Sequence, residues 1–331
     1  MNNDITGKTI LQERLNDLDK NGRARPWKEK KRQNLNLVAS YGRLKLDDAV
    51  VWRNVYAKYE PDVRDCACYL EFEYDKLKKV YFCKKRLCAM CNWRKSIKVF
   101  ASVSKVMDVI ECENPDIQPV FLTLTQRNCT FDGLEVEIKR IFDGFKRLMN
   151  NNRVKNQIVG CFRALEVTYS RKTDTWHPHI HVIMLFEKDY FGKDNKRYID
   201  KMEWVRLWRL SMRLNYDPNV DIRAVRSKDG NRRKVVAEVA KYPFKDAEIL
   251  TTDSALTDRL VDCLTRSLYK KRLFAFGGLM AKVAKKLKLD KPDEGDLVNV
   301  GDEDETVRGD VADVIAAYRW DFGLLDYIRV R

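Results

Sequence analysis

Two periods of hydrophobic and polar residues alternate along this chain, and each switch between them marks an element. Leu134, Ile138, Ile141, Phe142, Phe145, Leu148 and Met149 recur at helical spacing as one apolar stripe, with Asp132 placed to cap the helix and Glu135 three residues on. Upstream, Trp93, Ile97, Phe100, Val103, Met107 and Ile110 keep the same period, so another helix buries one face there. Between these two, Pro119 to Thr125 (PVFLTLT) reads as a buried strand. Phe162 to Tyr169 and Val182 to Phe186 are β-branched and aromatic runs separated by the polar stretch Ser170 to Thr175, which predicts a hairpin. A helix from about Lys201 to Leu214 follows, with Trp204, Leu207, Trp208 and Met212 as core positions. Val220 to Arg226 then alternates like a strand, and Ser227 to Asn231 gives a turn. Strand, helix, hairpin, helix and strand in this order predict an α+β fold, an antiparallel sheet with helices segregated to one face.

Charge narrows the partners. Lys and Arg total 64 against 49 Asp and Glu, a formal net charge of +15, which implies a polyanion and, for a soluble chain, nucleic acid. At 331 residues there is room for two or three domains. No apolar run approaches the roughly 18 residues of a membrane span, and Met1-Asn2-Asn3-Asp4 does not open a signal peptide, so a cytoplasmic protein without a membrane partner is expected. In that compartment the nine cysteines are expected as reduced thiols or metal ligands. A basic cluster with an aromatic inside it (Arg23, Arg25, Trp27, Lys28, Lys30, Lys31, Arg32) suits either phosphate contacts with stacking on Trp27 or a solvated arm.

Five of the cysteines, Cys66, Cys68, Cys83, Cys88 and Cys91, crowd into 26 residues. Cys83-x4-Cys88-x2-Cys91 has metal-ligand spacing, and Cys66 or Cys68 supplies the fourth thiolate of a structural zinc site; Cys66 is expected to bind and Cys68 to pack. Four protein ligands leave no open position, so the metal would have a structural role. Clustered buried thiols are the plainer alternative.

The histidines are more concentrated still. All three lie in His177-Pro178-His179-Ile180-His181, at the opening of the second hairpin strand. Period-2 alternation puts His179 and His181 on one face with Ile183 and Leu185, a chelating pair rather than a hydrogen-bonded structural pair. If the turn is centred between Lys172 and Thr173, Glu166 sits opposite His179 and completes a site suited to Mg²⁺ or Mn²⁺; one residue of slip would put it on the other face.

These residues carry a resemblance. FLTLTQRN at 121–128, HPHIHVIMLF at 177–186 and EVAKYPFKD at 238–246 resemble the three motifs of rolling-circle plasmid replication initiators (Rep) of the HUH endonuclease superfamily. CKKRLCAMCNWRK at 83–95 resembles a segment of one plasmid Rep group, and RLFAFGGL at 272–279 its closing strand. The candidate tyrosine follows the histidines by about sixty residues, as in initiators, whereas relaxases of the superfamily place it before them. The resemblance runs from roughly residue 60 to 280. It implies an HUH endonuclease-like sheet with flanking helices, preceded by a small Cys-rich zinc-binding insertion. The division expected is a basic region at 1–60, a zinc-binding segment at 61–95, a nuclease domain at 96–280, and an acidic segment and tail at 281–331.

The chemistry that the resemblance implies is nicking of one strand of origin DNA by Tyr242. A 5′-phosphotyrosine and a free 3′ hydroxyl would form, and the same site would rejoin ends at termination. A phenol near pKa 10 is a weak nucleophile, so the ion on His179, His181 and Glu166 would polarise the phosphate. Glu238, four residues before Tyr242, would be the base for a hydrolytic second cleavage, and Lys241 and Lys245 would hold phosphates. Pro243 disfavours helix at Tyr242, which places the tyrosine at a fraying helix end. No Gly-x4-Gly-Lys-Ser/Thr loop occurs, so a host helicase and polymerase are the expected partners beside double- and single-stranded origin DNA. The competing readings are an HUH transposase or mobilisation nuclease, and a zinc-stabilised nucleic-acid-binding protein without catalysis.

Overall fold

A computed structural model describes residues 13–19, 21–74, 76–187, 190, 198–225, 231–241, 244, 246–301 and 315–331. In chain order its elements are α1 (Trp27–Leu44), α2 (Arg53–Asp65), β1 (Tyr69–Glu73), β2 (Lys76–Val80), α3 (Ala89–Glu113), β3 (Gln118–Leu124), α4 (Leu134–Asn150) and α5 (Asn152–Lys155). There follow β4 (Ile158–Ser170), β5 (Thr175–Phe186), α6 (Lys201–Met212), β6 (Val220–Ala224), α7 (Asn231–Ala240) and α8 (Asp246–Ile249). The last are α9 (Ser254–Ser267), β7 (Phe274–Gly277), α10 (Gly278–Lys286), β8 (Ile315–Asp321) and β9 (Asp326–Arg329). The fold is α+β with antiparallel sheets. It divides into two compact units, residues 1–94 with 296–331, and residues 95–295. The first unit thus draws on three of the four segments marked in the sequence.

In the first unit a four-stranded sheet has the order β2-β1-β8-β9, so the tail, unassigned in the sequence, supplies half its strands. Glu71 lies opposite Ala317 in this sheet. Trp27 is not a stacking platform, because it opens α1 and is 2% exposed, and Lys31 is 0% exposed, whereas Arg23 and Arg32 of the same basic cluster are exposed. Trp27 meets Trp93 edge-on at 4.7 Å between ring centres, which buries an aromatic surface too large to leave in water.

In the second unit a five-stranded sheet has the order β6-β3-β5-β4-β7, with the histidine strand β5 at its centre. Every residue from Pro178 to Phe186 is buried, and a strand dry on both sides needs cover on both. Helices therefore flank both faces, which corrects the expectation of one helical face. On the Val182 side, the Arg163 guanidinium lies 4.2 Å from the Phe142 ring of α4, and Phe186 meets Trp204 of α6. On the histidine side, Met107 and Ile110 of α3 and Arg232 of α7 line a cavity with Pro119 and Leu185. The amphipathic stripe of α4 is buried as the periodicity predicts. Its cap is not Asp132: Gly133 is the N-cap, with no side-chain hydrogen bond. α6 stops at Met212 because Arg213 turns left-handed, φ 55°. The strand predicted to Arg226 ends at Ala224, and the turn at 227–230 lies outside the described residues.

Candidate functional site

The register of the β4–β5 hairpin decides the histidine site. Glu166 pairs directly with His179 and Ala164 with His181, so the carboxylate shares the face of both imidazoles. Glu166 Oε2 lies 2.7 Å from His181 Nε2 and 3.3 Å from His179 Nε2. Burial alone would raise the Glu166 pKa, but the hydrogen bonds from His179 and His181 outweigh it and hold the carboxyl far below the ordinary range. His177 lies on the same face, stacked on His179 with ring centres 5.0 Å apart. Burial, helped by the neighbouring His179, lowers its pKa.

The opposite ring nitrogens are held as well. His179 Nδ1 donates to the carbonyl of His177 at 3.1 Å, which leaves Nε2 as the nitrogen with a free lone pair in the neutral ring. His181 Nδ1 pairs with Thr123 Oγ1 at 3.0 Å, and Phe121 stacks on the same ring at 5.5 Å and 12°. His179, His181 and Glu166 each offer a ligand atom within 4.8 Å of the other two, and two imidazoles with one carboxylate suit a divalent ion of the Mn²⁺ or Mg²⁺ kind. The donor set fits such an ion.

The cysteine cluster builds a second centre, in the first unit. Cys66 Sγ lies 3.6 Å from Cys91 and 3.5 Å from Cys88, and Cys83 lies 3.8 Å from Cys91. A disulfide needs about 2.05 Å, whereas a tetrahedron with 2.3 Å bonds to zinc has edges of about 3.8 Å. Backbone amides point at the sulfurs: Lys84 N–H donates to Cys91 at 3.3 Å and Cys91 N–H to Cys88 at 3.4 Å. Burial opposes charge on Cys88, but hydrogen bonds from Cys66, Cys83 and Cys91 outweigh it and hold that thiol well below its ordinary range. Burial, reinforced by hydrogen bonds with Cys66, Cys83 and Cys88, pushes Cys91 well above. Four close sulfurs of this kind suit zinc. Cys68 lies outside the cluster: it accepts from Lys31 Nζ at 3.1 Å and donates to the Arg64 carbonyl at 3.1 Å.

Two buried residues complete this centre: Asn34, which no motif marks, and Lys31, whose place in the basic cluster suggested a phosphate contact instead. Asn34 donates from Nδ2 to Cys88 Sγ at 3.2 Å and accepts the Ala89 amide on Oδ1 at 2.8 Å. Lys31 Nζ donates to the carbonyls of Arg64 and Cys66, both at 2.6 Å. In the second unit, Thr123 and Phe121 were missed likewise; the signal for Thr123 was a polar residue interrupting an apolar strand.

Of the tyrosine motif, Glu238 lies on α7 and bonds to Lys241. α7 packs against β5 and β4, and its Arg232 shares the cavity with Leu185 on the histidine side. Tyr242, Pro243 and Lys245 lie outside the described residues. Two other tyrosines flank the histidine hairpin. Tyr190 is 3% exposed and donates to the Ile199 carbonyl, and Tyr169 donates to Asp174 at 2.6 Å. Burial raises the pKa of both, in Tyr169 with help from Asp174, and so disfavours either as a nucleophile. Among the described residues no helix is long and apolar enough to cross a membrane.

Comparison with known proteins bears out the family resemblance. No solved structure matches the chain. Residues 74–328 match the family described as Replication protein. A "Protein rep" of Bacillus amyloliquefaciens is 35% identical over 95% of this chain and 96% of its own length. Another, from Streptococcus pneumoniae serotype 2, is 34% identical over 89% of this chain and 90% of its own. A third, from a Bacillus species, is 37% identical over 74% and 86%. With a family match over most of its length and relatives at 34–37% identity over 74–95% of it, this chain belongs to the replication protein family of plasmid Rep initiators.

Proposed function

We propose that this protein starts rolling-circle replication by nicking one strand of its origin through Tyr242, as a metal-dependent single-strand endonuclease and strand transferase of the HUH type. The observation that carries the reading is the convergence of His179, His181 and Glu166 on one face of the central strand, in a chain of the replication protein family. A Mg²⁺ or Mn²⁺ ion held by these three would supply Lewis-acid polarisation of the scissile phosphate. The Tyr242 oxygen attacks phosphorus, the tyrosyl ester forms as the bond to the 3′ oxygen breaks, and that oxygen leaves as the hydroxyl a polymerase extends. Because the ester keeps the energy of the broken bond, a returning 3′ hydroxyl can reverse the step and close a circle.

Glu238 serves as the base for the hydrolysis that ends the cycle. Its place on α7, a helix on the histidine side of the sheet, supports this, as does its spacing of four from Tyr242. Lys241 and Lys245 hold flanking phosphates. Zinc on Cys66, Cys83, Cys88 and Cys91 stabilises the first unit, and a host helicase opens the duplex. The test is incubation with supercoiled plasmid carrying its own origin: nicked circles with protein attached are expected with Mg²⁺ or Mn²⁺ and none with chelator. Unattached nicks, or none under any metal condition, would refute the reading.

A further inference from the structure

We infer that Thr123 is a positioning residue of the histidine site: its hydroxyl, through His181 Nδ1, sets which nitrogen and which edge of that ring the site presents. The inference rests on the divalent-ion site proposed above. Thr123 Oγ1 lies 3.0 Å from His181 Nδ1, while His181 Nε2 lies 2.7 Å from Glu166 on the opposite edge of the ring. To offer Nε2 to an ion the ring must carry its proton on Nδ1, and the hydroxyl, which can accept as well as donate, would take that proton.

Three further observations make the residue more than a neighbour. The Thr123 backbone is fixed from both sides, opposite His181 on β5 and Asp221 on β6, so its side chain is placed by two ladders rather than by a loop. Phe121, two residues earlier on the same face, stacks flat on the ring at 5.5 Å and 12°, which fixes the ring plane but cannot choose between the nitrogens. His179, by contrast, needs no such partner, because the carbonyl of His177 on its own strand orders it at 3.1 Å. A carbonyl only accepts, and it fixes one tautomer unaided. The polar interruption in the FLTLT segment thereby acquires a purpose, since it does for His181 what the backbone does for His179.

The experiment titrates Mn²⁺ into the zinc-loaded full-length protein and follows the free-ion electron paramagnetic resonance signal. Thr123→Val keeps the shape and removes the hydroxyl, so its Mn²⁺ dissociation constant should rise about 10- to 100-fold, while Thr123→Ser stays within about threefold of wild type. If Thr123→Val does not fold by circular dichroism, Thr123→Ala is read in its place. Wild-type affinity in the hydroxyl-free variant overturns the inference, and so does a Thr123→Ser variant as weak as Thr123→Val. His181→Ala separates this from the underlying reading. If His181→Ala loses Mn²⁺ and Thr123→Val keeps it, only the positioning role falls; if His181→Ala binds as wild type, the ion sits elsewhere and both fall.

Discussion

Cys66→Ser and Cys68→Ser change the same atom two residues apart and should have opposite outcomes. Cys66 is fully buried with its sulfur 3.5 to 3.6 Å from Cys88 and Cys91, whereas Cys68 is partly exposed and bonded to Lys31 and the Arg64 carbonyl. A structural zinc contributes on the order of 10–16 kcal/mol, so one thiolate in four is roughly 3–4 kcal/mol. Set against a total stability of about 5–15 kcal/mol, that loss leaves the first unit marginal. The Cys68 hydroxyl variant can keep both hydrogen bonds, so its cost is about 1 kcal/mol or less. At roughly 4 °C per kcal/mol, Cys66→Ser should melt about 12–16 °C below wild type, and Cys68→Ser within about 4 °C. Metal analysis after gel filtration should find about one zinc per chain in wild type and Cys68→Ser, and far less in Cys66→Ser. A Cys66→Ser protein with full zinc and an unchanged melt would refute the assignment, as would loss of zinc in Cys68→Ser.

Three other perturbations test the second unit. His181→Ala should abolish nicking while duplex binding in a filter assay stays within a few-fold, because affinity comes mainly from basic contacts; wild-type nicking would sink the metal assignment. Glu238→Ala should keep the first strand cut and slow release of the enzyme at termination, in a single-turnover assay on oligonucleotides. Loss of the first cut as well would make Glu238 a residue of the initial step. Glu166 predicts an acid limb. Its folded-state pKa is depressed, so the stability it contributes is complete above the ordinary glutamate pKa of about 4.3 and is lost as pH falls toward the lower folded value. Melting temperature should therefore fall more steeply below about pH 4.3 in wild type than in Glu166→Gln. Parallel curves would argue against the depressed carboxyl.

What the sequence made legible was local in the chain. The α4 stripe, the hairpin and the pairing of Glu166 with His179 depend on residues within a few turns of one another, and a period of two or of 3.6 registers them directly. The second sheet escaped because β1 pairs with β8, so that Glu71 meets Ala317, and no periodicity spans that separation. α1 escaped for another reason. Its inner face includes Lys31 and Asn34, both fully buried, whose polar atoms serve carbonyls and a sulfur rather than water. Charge counting treats such residues as solvated, and only tertiary structure shows what they hold. The second helical layer was hidden because β5 carries histidines on one face yet is buried on both, which requires cover on both sides without naming the helices that provide it.

The claim that matters most is that Tyr242 is the nucleophile. Wild-type protein and Tyr242→Phe, which keeps the ring and removes one oxygen, are incubated with a supercoiled plasmid carrying the protein's own origin and Mn²⁺. The DNA-linked peptide is then isolated and sequenced by mass spectrometry. The expected result is a 5′-phosphotyrosyl adduct on the peptide containing Tyr242 in wild type, and folded, DNA-binding but adduct-free protein in the variant. An adduct that survives Tyr242→Phe, or one that maps to Tyr169 or Tyr190, would contradict it.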